Sequence, residues 1–314
     1  MMEVKVQGER WFPAETNFSE ELKDLWGNWY CDSEVGTLRS VLLHRPGLEI
    51  EGINEENFAD FRFRAPMNPV RARRQQDALA DLFRLNGVEV HYVEGQRTDR
   101  PNALYMRDLM FMTPEGAIIC RPAIPARRGE EKAVARTLAS LGVPIIKTIN
   151  GDGYFEGACA MWVNRETVVI GTGSRSNESG AIQVERELRN IGVKNIIMTQ
   201  IPYGSIHLDG YMNMIDVNKL VIFPWHTTYD CMKQLLDLGI ELIELPFIDE
   251  LKQGMSLNFI ALSPGKIVMP SGNEKSKNLF IEHGVEVIEI EMDEIINGWG
   301  AIHCMTAFLN RDPV

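Results

Sequence analysis

The sequence is short of the features that mark a membrane, secreted or nucleic-acid-binding protein. No apolar run approaches the roughly 18 residues that a bilayer span needs, and the start Met1-Met2-Glu3 lacks a basic segment followed by an apolar one. A soluble, cytoplasmic protein without a membrane partner is expected. No Lys/Arg run offsets a formal net charge of -12, so the surface should repel a phosphate backbone and nucleic acid is not expected as a partner. The five cysteines (Cys31, Cys120, Cys159, Cys231, Cys304) are odd in number and contain no Cys-x-x-Cys pair, which argues against a disulfide framework and a structural zinc site. A metal on His207, Asp209 and Glu156 lacks any paired-histidine spacing to support it, and no metal or cofactor is expected.

What is present is an ordinary globular composition, 45% hydrophobic and 24% charged over 314 residues. Its organising feature is a repeated phrase in which a leucine-rich helix ends at a glycine and a β-type run follows. Five copies occur: Asp81–Val93 with Gly87, Thr137–Ile149 with Gly142, Glu187–Ile201 with Gly192, Leu235–Leu245 with Gly239, and Asn278–Ile290 with Gly284. Each glycine suits the residue after a helix, where a left-handed backbone penalises other side chains. The glycines are 45 to 55 residues apart, the period of a repeated supersecondary unit.

Hairpin-like apolar pairs lie between the phrases: Leu109–Thr113 with Ala117–Cys120, Ala160–Val163 with Thr167–Ile170, and Ile260–Ser263 with Lys266–Met269. Leu38–Leu43 at the start and Ala307–Leu309 at the end supply further strands. Units of two strands, a helix and a strand cannot bury their faces alone. A ring of them predicts an α/β fold, a five-bladed α/β propeller with pseudo-five-fold ββαβ repeats. A doubly wound sheet explains the alternation less well, because the hairpins are antiparallel. Residues 33–314 are expected to form a single catalytic domain, preceded by an N-terminal extension, 1–32.

In a ring, residues at one phase of each unit converge near the axis. That phase carries Arg107-Asp108, Glu156-Gly157, His207-Leu208-Asp209, Ser256-Leu257-Asn258 and His303-Cys304. Seen alone, each acid is a turn residue, each histidine a satisfied polar group and each thiol a buried filler. Repetition makes them a constellation. His207 and Asp209, two apart, would share one face of a strand, whereas His303 would face away from Cys304. Cys304 is therefore expected to be a nucleophile partnered by His207.

These segments resemble the guanidino-group-modifying family of arginine deiminases, dimethylarginine dimethylaminohydrolases, agmatine deiminases and amidinotransferases, whose fold is the five-fold propeller (pentein). The resemblance rests on Ser33 through Arg39 running on to His44-Arg45-Pro46-Gly47, Pro101-Asn102 with Arg107-Asp108, Phe155-Glu156-Gly157, His207-Leu208-Asp209 and Gly300 through Thr306. It implies that Asp108 and Asp209 hold guanidinium nitrogens, that Glu156 and His207 act at the leaving group, and that Cys304 attacks. It further implies that Arg127 and Arg175, nineteen residues after Asp108 and Glu156, grip a substrate α-carboxylate with Asn102 as a further contact. Where many hydrolases of the family read Glu-Gly-Gly-Asp, this chain reads Glu156-Gly157-Ala158-Cys159 and lacks that acidic contact.

The expected function is a hydrolase converting the guanidino group of arginine or an arginine-like amino acid through a covalent thioether. An amidinotransferase delivering the same group to an amine is the alternative, and a non-catalytic arginine-binding propeller would have lost Cys304 or His207. The tryptophan-bearing stretch with Trp11, Trp26 and Trp29 is expected either to cover the site or to form a homo-oligomer contact.

Overall fold

A computed structural model describes residues 16–314. Trp11 lies outside the described residues. The rest contains five three-stranded sheets, each built from one antiparallel pair and one parallel strand reached through a helix. In chain order the strands are β1 (Leu38–Leu43), β2 (Glu89–Tyr92), β3 (Met110–Thr113), β4 (Gly116–Ile119), β5 (Ile145–Thr148), β6 (Ala160–Asn164), β7 (Thr167–Thr172) and β8 (Asn195–Gln200). They continue with β9 (Met212–Asp216), β10 (Lys219–Ile222), β11 (Glu241–Glu244), β12 (Ile260–Ser263), β13 (Lys266–Pro270), β14 (Glu286–Ile290) and β15 (Ala307–Arg311). The sheets are β15-β1-β2, β3-β4-β5, β6-β7-β8, β9-β10-β11 and β12-β13-β14. The expected five-bladed α/β propeller is therefore the fold. The first blade joins the two ends of the chain, with Val41 opposite Phe308 and Leu42 opposite Ala307, so the ring closes on a strand from each terminus.

The local causes are those written in the repeat. All five phrase glycines adopt positive φ, between +77° and +91°. Two-residue connections close the four other hairpins, with Thr113 facing Gly116, Asn164 facing Thr167, Asp216 facing Lys219 and Ser263 facing Lys266. The crossover helix α2 (Pro69–Leu85, numbered after α1, Phe18–Leu25) starts on Asn68, whose side chain accepts from the backbone of Val70 and Arg71. It buries Ala72, Gln75, Gln76, Leu79, Ala80 and Phe83, the 3–4 spacing of one face. Among the described residues, no helix is long and apolar enough to cross a membrane.

Inner strands are buried on both faces, as β3 illustrates, and outer parallel strands are more exposed, with burial alternating along the second half of β8. Inner strands of neighbouring blades pack on each other, β15 on β3 and β9 on β12. The axis is filled by Trp162 stacked on Phe111 with centroids 5.7 Å apart, and by Phe308 between the guanidinium groups of Arg107 (4.7 Å) and Arg311 (4.0 Å). Arg311 donates to the carbonyls of Gly36 and Ala261, tying the first blade to the β12-β13-β14 blade.

The turns entering the inner strands are equally crowded. A Cβ on Gly157 would lie 2.3 Å from the carbonyl of Arg107 and 2.4 Å from that of Met110, both backbone atoms that cannot swing aside. Gly157→Ala is expected to lower the unfolding free energy by about 2 kcal/mol through overpacking, read from the urea midpoint; an unchanged midpoint would show that the blade junction yields freely.

Candidate functional site

The turn before each inner strand delivers the phase residues to one end of the axis. Asp108 sits in a 3-10 turn (Met106–Leu109), Glu156 and His207 immediately precede 3-10 turns (Gly157–Cys159 and Leu208–Gly210), and Cys304 lies in a single helical turn, Ile302–Met305. Asn258 holds that last turn, its Oδ1 accepting from the backbone N–H groups of Ala301 (3.0 Å) and Cys304 (3.1 Å). These side chains open on a cavity of about 900 Å³, on whose wall lie Asn102, Asp108, Arg127, Arg175, His207 and Cys304. Three non-glycine residues with left-handed backbone, Arg62, Met255 and Trp299, also line it, so the strain of the chain gathers here. No residue of the 18–30 stretch lines it, so the described part of the tryptophan-bearing extension does not cover the site.

Two clusters of charge meet across the cavity floor. In one, His207 Nε2 is 2.7 Å from Glu156 Oε2 and its Nδ1 is 3.5 Å from Asp108 Oδ1. Burial disfavours a charged imidazole, but Asp108 and Glu156 outweigh it and raise the His207 pKa. Burial likewise opposes ionisation of Glu156, yet His207, Arg127 and Arg175 hold its carboxyl down to about 2. In the other cluster, Cys304 Sγ is 3.3 Å from Asp209 Oδ2 and 3.0 Å from Asn258 Nδ2. Burial and the negative charges of Asp209 and Asp108 push the Cys304 thiol well above its ordinary value.

Four differences from the sequence expectation stand out. The segment 302–305 is a helical turn, so strand parity does not apply and His303 does not turn away from the nucleophile's neighbourhood. Its Nδ1 is 2.8 Å from the same Asp209 oxygen that meets Cys304. Asp209 also lies in a turn, so it reaches the thiol rather than sharing a strand face with His207. Arg127 is 2% exposed and fully engaged inside the protein, on Asp108, on Glu130 at 2.9 Å and on the carbonyls of Asn102 and Tyr105. The Asn102 amide donates to the carbonyl of Phe61. Arg175, by contrast, uses only Nη1, on Glu156 at 3.2 Å, and its Nε and Nη2 have no acceptor among the described residues. Cys159 is fully buried in the core, where burial and Glu156 keep its thiol protonated.

Among the described residues, the one group of acids and histidines placed to hold a metal ion is Asp108, Glu156 and His207, whose ligand atoms lie within 4.8 Å of one another. The flanking Arg127 and Arg175 guanidinium groups already neutralise that corner, which disfavours a divalent ion.

Glu34 and His303 had no assigned role in the sequence reading. Glu34 is completely enclosed; its Oε1 takes Arg107 at 2.5 Å and its Oε2 faces His303 Nε2 at 3.3 Å. Both partners are chain neighbours of site residues, Arg107 of Asp108 and His303 of Cys304. The only sequence signal was the presence of Glu34 in the Ser33–Arg39 segment.

A five-fold ring of ββαβ units closed by a cysteine-bearing turn is the architecture of guanidino-group-modifying proteins of the pentein type. The family model described as N,N dimethylarginine dimethylhydrolase, eukaryotic, matches residues 54–311, and the chain belongs to that family. It is 23% identical to an arginine deiminase of Lactococcus lactis subsp. lactis (strain IL1403), over 90% of this chain and 98% of that protein. Its fold is similar to an amidinotransferase from Microseira wollei (TM-score 0.76, 14% identity, 91% of this chain and 98% of that one). It is also similar to a dimethylarginine dimethylaminohydrolase from Pseudomonas aeruginosa complexed with citrulline (TM-score 0.71, 19% identity, 87% and 99%).

The Glu34 contacts give a pH-dependent outcome. Burial opposes its charge, but Arg107 and His303 hold its carboxyl at about 2 against an ordinary 4.5. Its ionisation thus stabilises the fold fully above about 4.5, and the contribution is lost as pH falls toward about 2. Glu34→Gln is expected to cost about 3–5 kcal/mol at pH 7, the penalty for stranding a buried partner charge. The gap to wild type, measured by urea unfolding at several pH values, should narrow steadily below pH 4.5.

Proposed function

We propose that the protein is a cysteine-dependent hydrolase that acts on the guanidino group of arginine or an arginine-like amino acid, with residues 33–314 as the catalytic unit. The observation that carries this reading is the Cys304 thiol, flanked at 3.3 Å by the Asp209 carboxylate, on the wall of the same cavity as the acid-bound imidazole of His207. Two carboxylates, Asp108 and Asp209, offer acceptors to the N–H fork of a planar guanidinium and would hold its carbon against the sulfur.

The charges dictate an order of events. Before substrate, burial and the acids Asp209 and Asp108 keep the Cys304 thiol protonated. A bound guanidinium cation offsets those acids, and the thiol gives up its proton to solvent. The thiolate attacks the guanidinium carbon, and the C–N bond to the departing nitrogen breaks as the His207 imidazolium protonates it. Ammonia or an amine leaves, and an amidino-thioether remains on Cys304. Neutral His207 then takes a proton from water, whose oxygen adds to the same carbon; the C–S bond breaks and the ureido product departs. Glu156, on His207 Nε2, steadies the imidazolium in both halves.

For the α-carboxylate, the free edge of Arg175 is the group available to bind it. Arg127, fully engaged on Asp108 and Glu130, acts instead to hold Asp108 in place. Asn102 contributes through its carbonyl grip on Arg127. An amine in place of water would make the same intermediate a donor for amidino transfer, the alternative supported by the fold likeness to an amidinotransferase.

Incubation with arginine, with and without glycine or lysine, separates the two. Citrulline and ammonia without an added amine are the expected products; ornithine formed only with an amine present would make the protein a transferase. Cys304→Ala is expected to abolish either activity, and full turnover by that variant would sink the covalent mechanism. Asp209→Asn removes a negative charge from beside the sulfur, so Cys304 should be alkylated by iodoacetamide on the order of tenfold faster at pH 7 while turnover is lost. Slower alkylation would contradict the electrostatic account of the thiol.

A further inference from the structure

The proposed reaction leaves the buried imidazole of His303 without a part. Its ring, 3% exposed, stands edge-on to Phe308 and spans two acids, with Nδ1 2.8 Å from Asp209 Oδ2 and Nε2 3.3 Å from Glu34 Oε2. Glu34 is itself fixed by Arg107 and by the backbone N–H of Trp162 at 3.3 Å. One end of the ring is therefore anchored to the propeller axis, and the other reaches the nucleophile's neighbour.

The contacts on Asp209 are lopsided. His303 Nδ1, Asn258 Nδ2 at 3.2 Å and Cys304 Sγ at 3.3 Å all converge on Oδ2, and no donor among the described residues reaches Oδ1. An oxygen that receives three donors has no lone pair to spare, and the carboxylate cannot rotate without breaking them. Oδ1 is thereby left as the one Asp209 acceptor for an incoming cation. Of the three donors, His303 is the shortest contact and the one tied to the axis.

We propose that His303 is a positioning residue that locks the Asp209 carboxylate, so that Oδ2 stays on the Cys304 sulfur while Oδ1 is presented to the substrate's N–H. This rests on the guanidino reading of the site. His303 touches no reacting atom; it acts through Asp209. The helical turn at 302–305 brings His303 and Cys304 to the same oxygen, where an extended strand would have turned them to opposite faces. Burial and Arg107 disfavour a charge on its ring, but Asp209 and Glu34 outweigh them and raise its pKa, so it serves as a double donor.

The two ring nitrogens can be tested separately. Asn places its amide nitrogen near the position of Nδ1 and keeps the Asp209 contact; Gln reaches toward the position of Nε2 and keeps the Glu34 contact. Both variants are neutral. The readout is the ratio of Cys304 alkylation rates by chloroacetamidine, a cation, and chloroacetamide, its neutral counterpart, with melting curves to confirm folding.

The wild-type protein should favour the cation. His303→Asn should keep that ratio within about threefold, and His303→Gln should lower it by about tenfold, the order of one lost hydrogen bond to a charged group. Equal ratios in the two variants, or the reverse order, would overturn the positioning role. A merely structural histidine would depress both reagents together and leave the ratio unmoved. If His303→Gln does not fold, His303→Asn decides alone, with a retained ratio supporting the proposal and a tenfold loss overturning it. No preference for the cation in the wild-type protein would bring down the guanidino reading, and this proposal with it, before any variant is compared.

Discussion

The carboxylate of Glu34 is the interaction on which the rest of the site hangs. It comes from the segment just before the first strand, and it reaches Arg107 and His303, which belong to different blades. Each partner sits beside a residue of the cavity floor, so one buried acid sets the spacing of Asp108 and Cys304 without touching either. Two acids, Glu34 and Asp209, are matched by two cations, Arg107 and His303, and all four side chains are buried. Charges so placed cost several kcal/mol each to bury and return that cost only in good geometry, which makes the arrangement rigid. The ring's closure through β15 and β1 supplies the frame, since it brings the Glu34 segment beside the turn that carries Cys304.

Much of the fold was legible because its causes are local. A glycine after a helix, a two-residue turn and an alternation of strand and helix are written in contiguous residues, and five repetitions guard against misreading any one of them. The convergence of Asp108, Glu156, His207, Asp209 and Cys304 was legible for a related reason, since equal phase in a ring means nearness in space. What stayed hidden depends on partners far along the chain. Glu34 lies 73 residues from Arg107 and 269 from His303, and nothing in its own neighbourhood announces either bond. The helical turn at 302–305 owes its shape to the Asn258 side chain, 43 residues before Ala301, and so a strand-based face assignment failed there.

Arg127 teaches a different lesson. Its offset from Asp108 does not say which way a guanidinium points. Glu130, three residues on at the start of the following helix, is the local clue that its charge is answered within the protein. Arg175, at the same offset from Glu156, keeps an edge with no acceptor among the described residues, so two arginines at equivalent offsets differ in how far the protein itself engages them.

The buried thiol has a consequence beyond turnover. A sulfur that burial and two acids hold in its protonated form is a poor target for peroxide, because oxidation to sulfenic acid proceeds through the thiolate. Cys304 is thus shielded chemically although it lies on the cavity wall. In the reaction proposed above, the oxidisable thiolate would form only with a cation bound over it, so the sulfur's reactivity would be tied to occupancy of the cavity.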